Sequence, residues 1–172
     1  MNHSSALPVA WIMLRILILL NWLWGVAILA LLIATIVAER WTFTALGITD
    51  ESGLPAQMMG LRFIAVLGLV ALLLNHAILT RLLAMVETVR RGDAFVFANA
   101  RRLLAIAWAS LGLQILSVAI AIIAKVISTP ASPVRLDAGF SPAGWLAVLL
   151  TFVLARVFAE GALMRDELDG TV

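Results

Sequence analysis

Side chains with the types and spacings that chemistry requires are scarce in this sequence, and they fall into two groups. The first is a set of ionisable residues inside otherwise apolar stretches: Arg15, His76, Arg81, Arg156 and Glu160. Placing such groups in an apolar medium is costly, so each is a candidate for function or for a specific partner. Arg156 and Glu160 stand four apart, which puts them on one helix face as an ion pair. Two readings of the set stand side by side. Long side chains can snorkel to an interface and pair there for structural reasons, or His76 and Glu160 can form a pH- or ligand-sensitive switch. The second group is the polar run over residues 89–103, Val-Arg-Arg-Gly-Asp-Ala-Phe-Val-Phe-Ala-Asn-Ala-Arg-Arg-Leu, together with Arg165, Asp166, Glu167 and Asp169 near the C-terminus.

Other chemistries have few residues to carry them. The chain has no cysteine and two histidines, His3 and His76, so thiolate or His-rich metal sites and Cys nucleophiles are excluded. There is no HExxH pair, no Gly-rich phosphate loop and no Ser/His/Asp set. The sequence therefore predicts a protein that is not an enzyme and that has neither cofactor nor metal. Twelve basic residues against ten acidic ones leave a net charge of +2. The isoelectric point near 10.4 reflects arginine's very high pKa rather than a basic tail. No run of five or six like charges exists, so direct nucleic-acid binding is not expected.

The elements that must position these residues are set by composition. Of 172 residues, 63% are hydrophobic and 13% charged, with a mean hydropathy of +1.09. Soluble domains are about 45–50% apolar and about 25% charged, and one small core has no room for the difference. Residues 16–38, 63–80, 103–124 and 138–155 carry no Asp, Glu, Lys or Arg. Roughly 20 such residues cross a hydrocarbon layer about 30 Å thick. The sequence thus predicts a single all-α membrane domain, a four-transmembrane-helix bundle with helices over 10–38, 60–85, 101–127 and 143–164. The first apolar run is too long for a signal-peptide core, and no Lys or Arg precedes Arg15. Arg81, Arg90, Arg91, Arg101 and Arg102 concentrate around the middle connection, which places that connection and both termini in the cytoplasm.

Several local features refine this outline. Gly92 should break the second helix, with Asp93 as N-cap of the third. The other two connections, 39–59 and 128–142, contain the alternation Arg40-Trp41-Thr42-Phe43-Thr44 and the helix-excluding Pro130, Pro133 and Pro142. They form either a small β cap or ordered loop. Stripes of small and polar residues mark packing seams. They comprise Asn21 and Gly25 in the first segment, and Gly68, Ala71 and Asn75 in the second. The third carries Ala107, Ser110, Gln114, Ser117, Ala121 and Ala124; the fourth, Gly144, Ala147, Thr151, Ala155 and Ala159. Trp11, Trp41 and Trp145 read as interfacial anchors, and Trp22, Trp24 and Trp108 as packing residues. The acidic Asp166, Glu167 and Asp169 are expected beside the basic connection.

Two stretches carry a resemblance. The pattern Gly92, Phe95, Asn99, Arg102, Leu103, and the ending Val153-Leu154-Ala155-Arg156-Val157-Phe158-Ala159-Glu160-Gly161 running on to Thr171-Val172, resemble the bacterial membrane proteins catalogued as domain of unknown function 2975. The resemblance implies a multi-pass bacterial inner-membrane protein of about this size, with no catalytic residues to carry over. It also implies a small helix-turn-helix transcription regulator as partner, since members are often encoded beside one. On that reading the docking residues are Arg90, Arg91, Asp93, Phe95, Asn99, Arg101, Arg102, Arg165, Asp166, Glu167 and Asp169. The alternative is a small transporter or pore subunit working as a homo-oligomer in membrane lipid. A third reading is an assembly factor without a ligand.

Overall fold

The computed structural model describes residues 6–38, 54–93, 95–128 and 136–169. They form four helices, α1 (Ala6–Val37), α2 (Leu54–Arg90), α3 (Phe97–Ile127) and α4 (Pro142–Asp169), with no strand among the described residues. All four are long and apolar enough to cross a membrane. The protein is a multi-pass, all-helical membrane protein. Residues 39–53 and 129–135, which hold the expected β cap together with Arg40, Trp41 and Arg135, lie outside the described residues.

The helices overrun the apolar stretches that announce them. The span expected over 60–85 belongs to a helix over Leu54–Arg90, and α3 begins at Phe97 rather than Arg101. Apolar length fixes only the part of a helix that sits in hydrocarbon. Beyond it the helix continues through polar residues until a stop signal ends it. Prolines sit at the starts, where a missing N–H costs nothing: Pro8 and Pro55 in first turns, and Pro142 as the first residue of α4. Pro142 thus opens α4 while preventing any helix from running into it, one residue before the expected start. Ser141 caps that start, its hydroxyl accepting from the Gly144 N–H at 3.1 Å and its carbonyl from the Trp145 N–H at 3.0 Å.

The chain divides into two compact units. One comprises Met1–Asn21, Leu74–Leu113 and Ser141–Val172; the other comprises Trp22–Leu73 and Gln114–Phe140. Within the first unit, Asn75 Nδ2 donates to Asn21 Oδ1 at 2.9 Å and ties α2 to α1. Trp108 of α3 meets Phe152 of α4 edge-on, with ring centroids 5.4 Å apart. Within the second unit, a Cβ on Gly25 would stand 2.7 Å from Leu72 Cδ1, so a larger residue there would force the Leu72 side chain to move, and glycine eases the approach of α1 and α2. Arg62 Nη2 donates to the Thr35 carbonyl at 2.6 Å, satisfying one of the carbonyls that the last turn of α1 leaves open. Ser117 Oγ donates to the Gly139 carbonyl at 3.2 Å and accepts from its N–H at 3.0 Å, holding the segment before α4 against α3.

Burial in α2 and α4 follows a seven-residue repeat. Met58, Ala65, Leu72 and Leu79 are the buried apolar positions of α2, and Val148, Ala155 and Ala162 those of α4. In α1 the buried positions are Asn21, Gly25 and Thr35, with Ile28 and Leu32 half-buried between them. Small and polar residues therefore mostly mark the seams, with two departures: in α2 Asn75 is exposed, though bonded to Asn21, and in α4 Val148 is buried and Ala147 exposed. Bulky apolar residues point the other way. Trp22, Trp24 and Trp108, expected from sequence to be packing residues, are 50%, 69% and 61% exposed. Lipid tails are as apolar as a protein core, so large side chains gain little by turning inward, while small ones permit close helix approach.

The Asn21–Asn75 bond gives a direct check on this packing. In a double-mutant cycle with Asn21→Ala and Asn75→Ala, unfolded reversibly in mixed micelles, the coupling should be about 0.6 kcal/mol and no more than about 1.7 kcal/mol.

Candidate functional site

The polar run between α2 and α3 is built from its turn outward. The N–H of Asp93 bonds the Thr88 carbonyl at 3.2 Å, and that of Gly92 bonds the Val89 carbonyl at 3.0 Å. These paired bonds close the end of α2 in a Schellman motif, which requires a left-handed residue after the cap. Gly92 supplies it with φ of +91°. Open space surrounds Gly92, so its requirement is conformational rather than steric. Asp93 consequently belongs to the stop of α2 and not to the start of α3, correcting its expected role as an N-cap. The first residue of α3 is Phe97, and the Asn99 N–H bonds back to the Val96 carbonyl at 2.9 Å.

Behind this turn lies a half-buried polar knot centred on Asn99. Arg102 Nη1 reaches Thr88 Oγ1 at 2.8 Å, Asn99 Oδ1 at 2.9 Å and the Ala84 carbonyl at 3.1 Å. The Thr88 hydroxyl, 2.6 Å from the Ala84 carbonyl and 3.1 Å from Asn99 Oδ1, donates to one or the other. Asn99 is wholly buried. Its side chain is committed inside the chain, so it leaves the set of residues able to dock a partner. Arg102, half-buried, commits its Nη1 to internal acceptors. These acceptors come mainly from the C-terminal part of α2, whose carbonyls carry partial negative charge. Nothing in the sequence singles out Thr88, although Asn99 shares a helix face with the buried Leu103 and Ile106.

Two further contacts fasten the connection to α4. Phe95 packs on Phe158, with centroids 5.1 Å apart. A Cβ on Gly161 would stand 3.0 Å from Phe95 Cδ1, so the glycine makes room for that ring. Arg165 Nη2 donates to Asp93 Oδ1 at 3.0 Å in a half-exposed ion pair. The charges at this contact are reversed from expectation: the tail contributes the cation and the connection the anion. Asp166 is exposed, and the side chains of Glu167 and Asp169 lie outside the described residues.

Four of the five intramembrane residues, Arg15, Arg81, Arg156 and Glu160, find partners on their own helices. Arg156 Nε donates to Glu160 Oε1 at 2.8 Å, an i,i+4 pair with side chains 79% and 54% exposed. Arg15 lies over the Trp11 ring, 4.1 Å from its centroid, in a cation–π contact on the same helix. Arg81 Nη1 donates to the Ala77 carbonyl at 2.9 Å, again on its own helix. His76 is half-buried on α2. Glu87, a residue outside the expected set, lies 3.5 Å from Trp11 Nε1 through its Oε1. No group of three or more His, Cys, Asp or Glu suited to a metal ion occurs among the described residues.

The knot and its clamps leave a defined outer surface. Arg90, Arg91 and Arg101 are exposed, as are Phe95 and Phe97 in part. Three substitutions separate the contributions. Gly92→Ala should cost about 1 kcal/mol of unfolding free energy, because alanine must adopt the left-handed conformation. Asp93→Ala and Arg165→Ala should each cost less than about 1 kcal/mol, since that pair is half in solvent. Denaturant titration in detergent, read by tryptophan fluorescence, measures all three.

No curated protein and no solved structure matches the chain. The family model described as "Protein of unknown function (DUF2975)" matches residues 76–172. That stretch covers more than half of the chain and takes in the Schellman turn, the Thr88–Asn99–Arg102 knot and both clamps on α4. The chain belongs to the DUF2975 family.

Proposed function

We propose that the protein is a regulatory or signalling component of the bacterial cytoplasmic membrane. In this reading the connection between α2 and α3 faces the cytoplasm and docks a small helix-turn-helix regulator. The observation that carries it is a connection backed by a half-buried hydrogen-bond network while Arg90 and Arg91 are exposed beside it. At six residues, 91–96, the connection has the length of an ordinary helix–helix linker, about 2–8 residues, so the hydrogen-bonded scaffold behind it is what sets it apart. A shaped basic surface suits an acidic protein face, because rim charges steer encounter and fix register. The role is one of binding, with no catalytic step assigned to any residue.

Arginine distribution supports the orientation, since Arg81, Arg90, Arg91, Arg101 and Arg102 gather at this end. The transporter reading draws less support. Asn21 and Asn75 are bonded to each other, which suits a helix seam better than a polar pathway.

The test is capture, by the full-length protein in nanodiscs, of any small helix-turn-helix protein that an adjoining gene encodes. Binding should weaken as salt is raised. The double variant Arg90→Glu, Arg91→Glu should weaken it at least about tenfold, as expected for opposing charges across an interface. Its unfolding midpoint should stay within experimental error of the parent. Unchanged capture by that variant, or no capture by the parent, would rule the proposal out.

A further inference from the structure

A groove of ≈ 380 Å³ runs between the start of α3 and the middle of α4, within the first compact unit. Its walls are apolar: Phe97 and Leu104 from α3, Phe152 from α4, and alanines from both. Two arginines also line it, Arg101 and Arg156. They border the uncharged stretches of their helices, residues 103–124 of α3 and 138–155 running into α4. At about 1.5 Å per residue, the α3 stretch is about 33 Å long, close to a hydrocarbon thickness of about 30 Å. Both guanidiniums thus stand where hydrocarbon gives way to headgroups, at the same edge of the membrane.

From this we infer that the groove binds an anionic phospholipid, the phosphate held between Arg101 and Arg156 and an acyl chain lying along Leu104 and Phe152. In a bilayer, lipid is the solvent, so an apolar groove open to it is filled by lipid and only the headgroup remains to be chosen. Two arginines choose a negative one. Basic pockets between transmembrane helices select acidic headgroups, and the planar guanidinium matches phosphate geometry. Arg101 makes no hydrogen bond or ion pair among the described residues. Arg156 commits only its Nε to Glu160, and its terminal nitrogens carry four of the five N–H donors of the group. Glu160 tempers the charge of Arg156 without lining the groove.

The inference is independent of any docked regulator, and lipid selectivity of the full-length protein tests it. Protein in nanodiscs of phosphatidylcholine mixed with phosphatidylglycerol would be analysed by native mass spectrometry for the headgroup retained on release. Phosphatidylglycerol should be enriched over its share of the bilayer. Arg101→Gln should lower the enrichment about fivefold, in line with the usual contribution of one basic residue at an anionic surface. Because Arg101 has no bond to lose among the described residues, this variant should fold as the parent does. Adding Arg156→Gln should lower the enrichment further. The control pair Arg90→Gln, Arg91→Gln, outside the groove, should lower it by less than Arg101→Gln alone does. Absence of enrichment in the parent, or an equal loss in the control pair, would overturn the inference.

Discussion

A single guanidinium joins the two halves of this chain's polar end. Arg102 enters from the first turns of α3 and meets acceptors contributed by α2 and by its own helix: the Ala84 carbonyl, the Thr88 hydroxyl and the Asn99 amide oxygen. Burying Asn99 without such partners would cost about 1–3 kcal/mol, comparable with much of a marginal protein's stability. With them, the polar groups specify one register between α2 and α3. The position of the Gly92 turn, the reach of Phe95 to Phe158 and the pairing of Asp93 with Arg165 all rest on that register. The exposed arginines take their places from it as well.

Elsewhere the membrane changes what holds helices together. Large apolar residues cover the outside, and the close contacts fall to glycine, alanine and a few hydrogen bonds. Gly25 under Leu72, the Asn21–Asn75 bond and the Ser117–Gly139 bonds are of this kind. Each exploits the same fact, that hydrocarbon supplies no driving force to bring bulky faces together. Ionisable groups near the boundary are handled locally: Arg15 over Trp11, Arg81 on its own helix carbonyl, and Arg156 with Glu160. None of these contacts needs a neighbouring helix.

Much of this is legible in the chain. Four spans can be read from uncharged length alone, and the small-residue stripe of α1 announces its buried face. The rest is hidden for physical reasons. Helix ends read from apolar length come out too short, because that length says nothing about helix in the headgroup region. Turning Trp22 and Trp24 inward applies a rule made for water. Ala147 and Val148 are adjacent and similarly apolar, so which of them faces the seam depends on helix rotation. Asn99, close to two arginines, has the local composition of a solvated surface. Its burial depends on Thr88, eleven residues earlier on another helix, and becomes visible only when the turn at Gly92 folds the two helices together.

The central claim is that Asn99 and Arg102 act as one unit that fixes the connection between α2 and α3. A double-mutant cycle with Asn99→Ala and Arg102→Ala, followed by reversible unfolding in mixed micelles, measures it most directly. Residues in one hydrogen-bond network should couple by about 1–2 kcal/mol, so the double variant should lose clearly less than the sum of the single losses. Additive losses, with coupling indistinguishable from zero, would contradict the account.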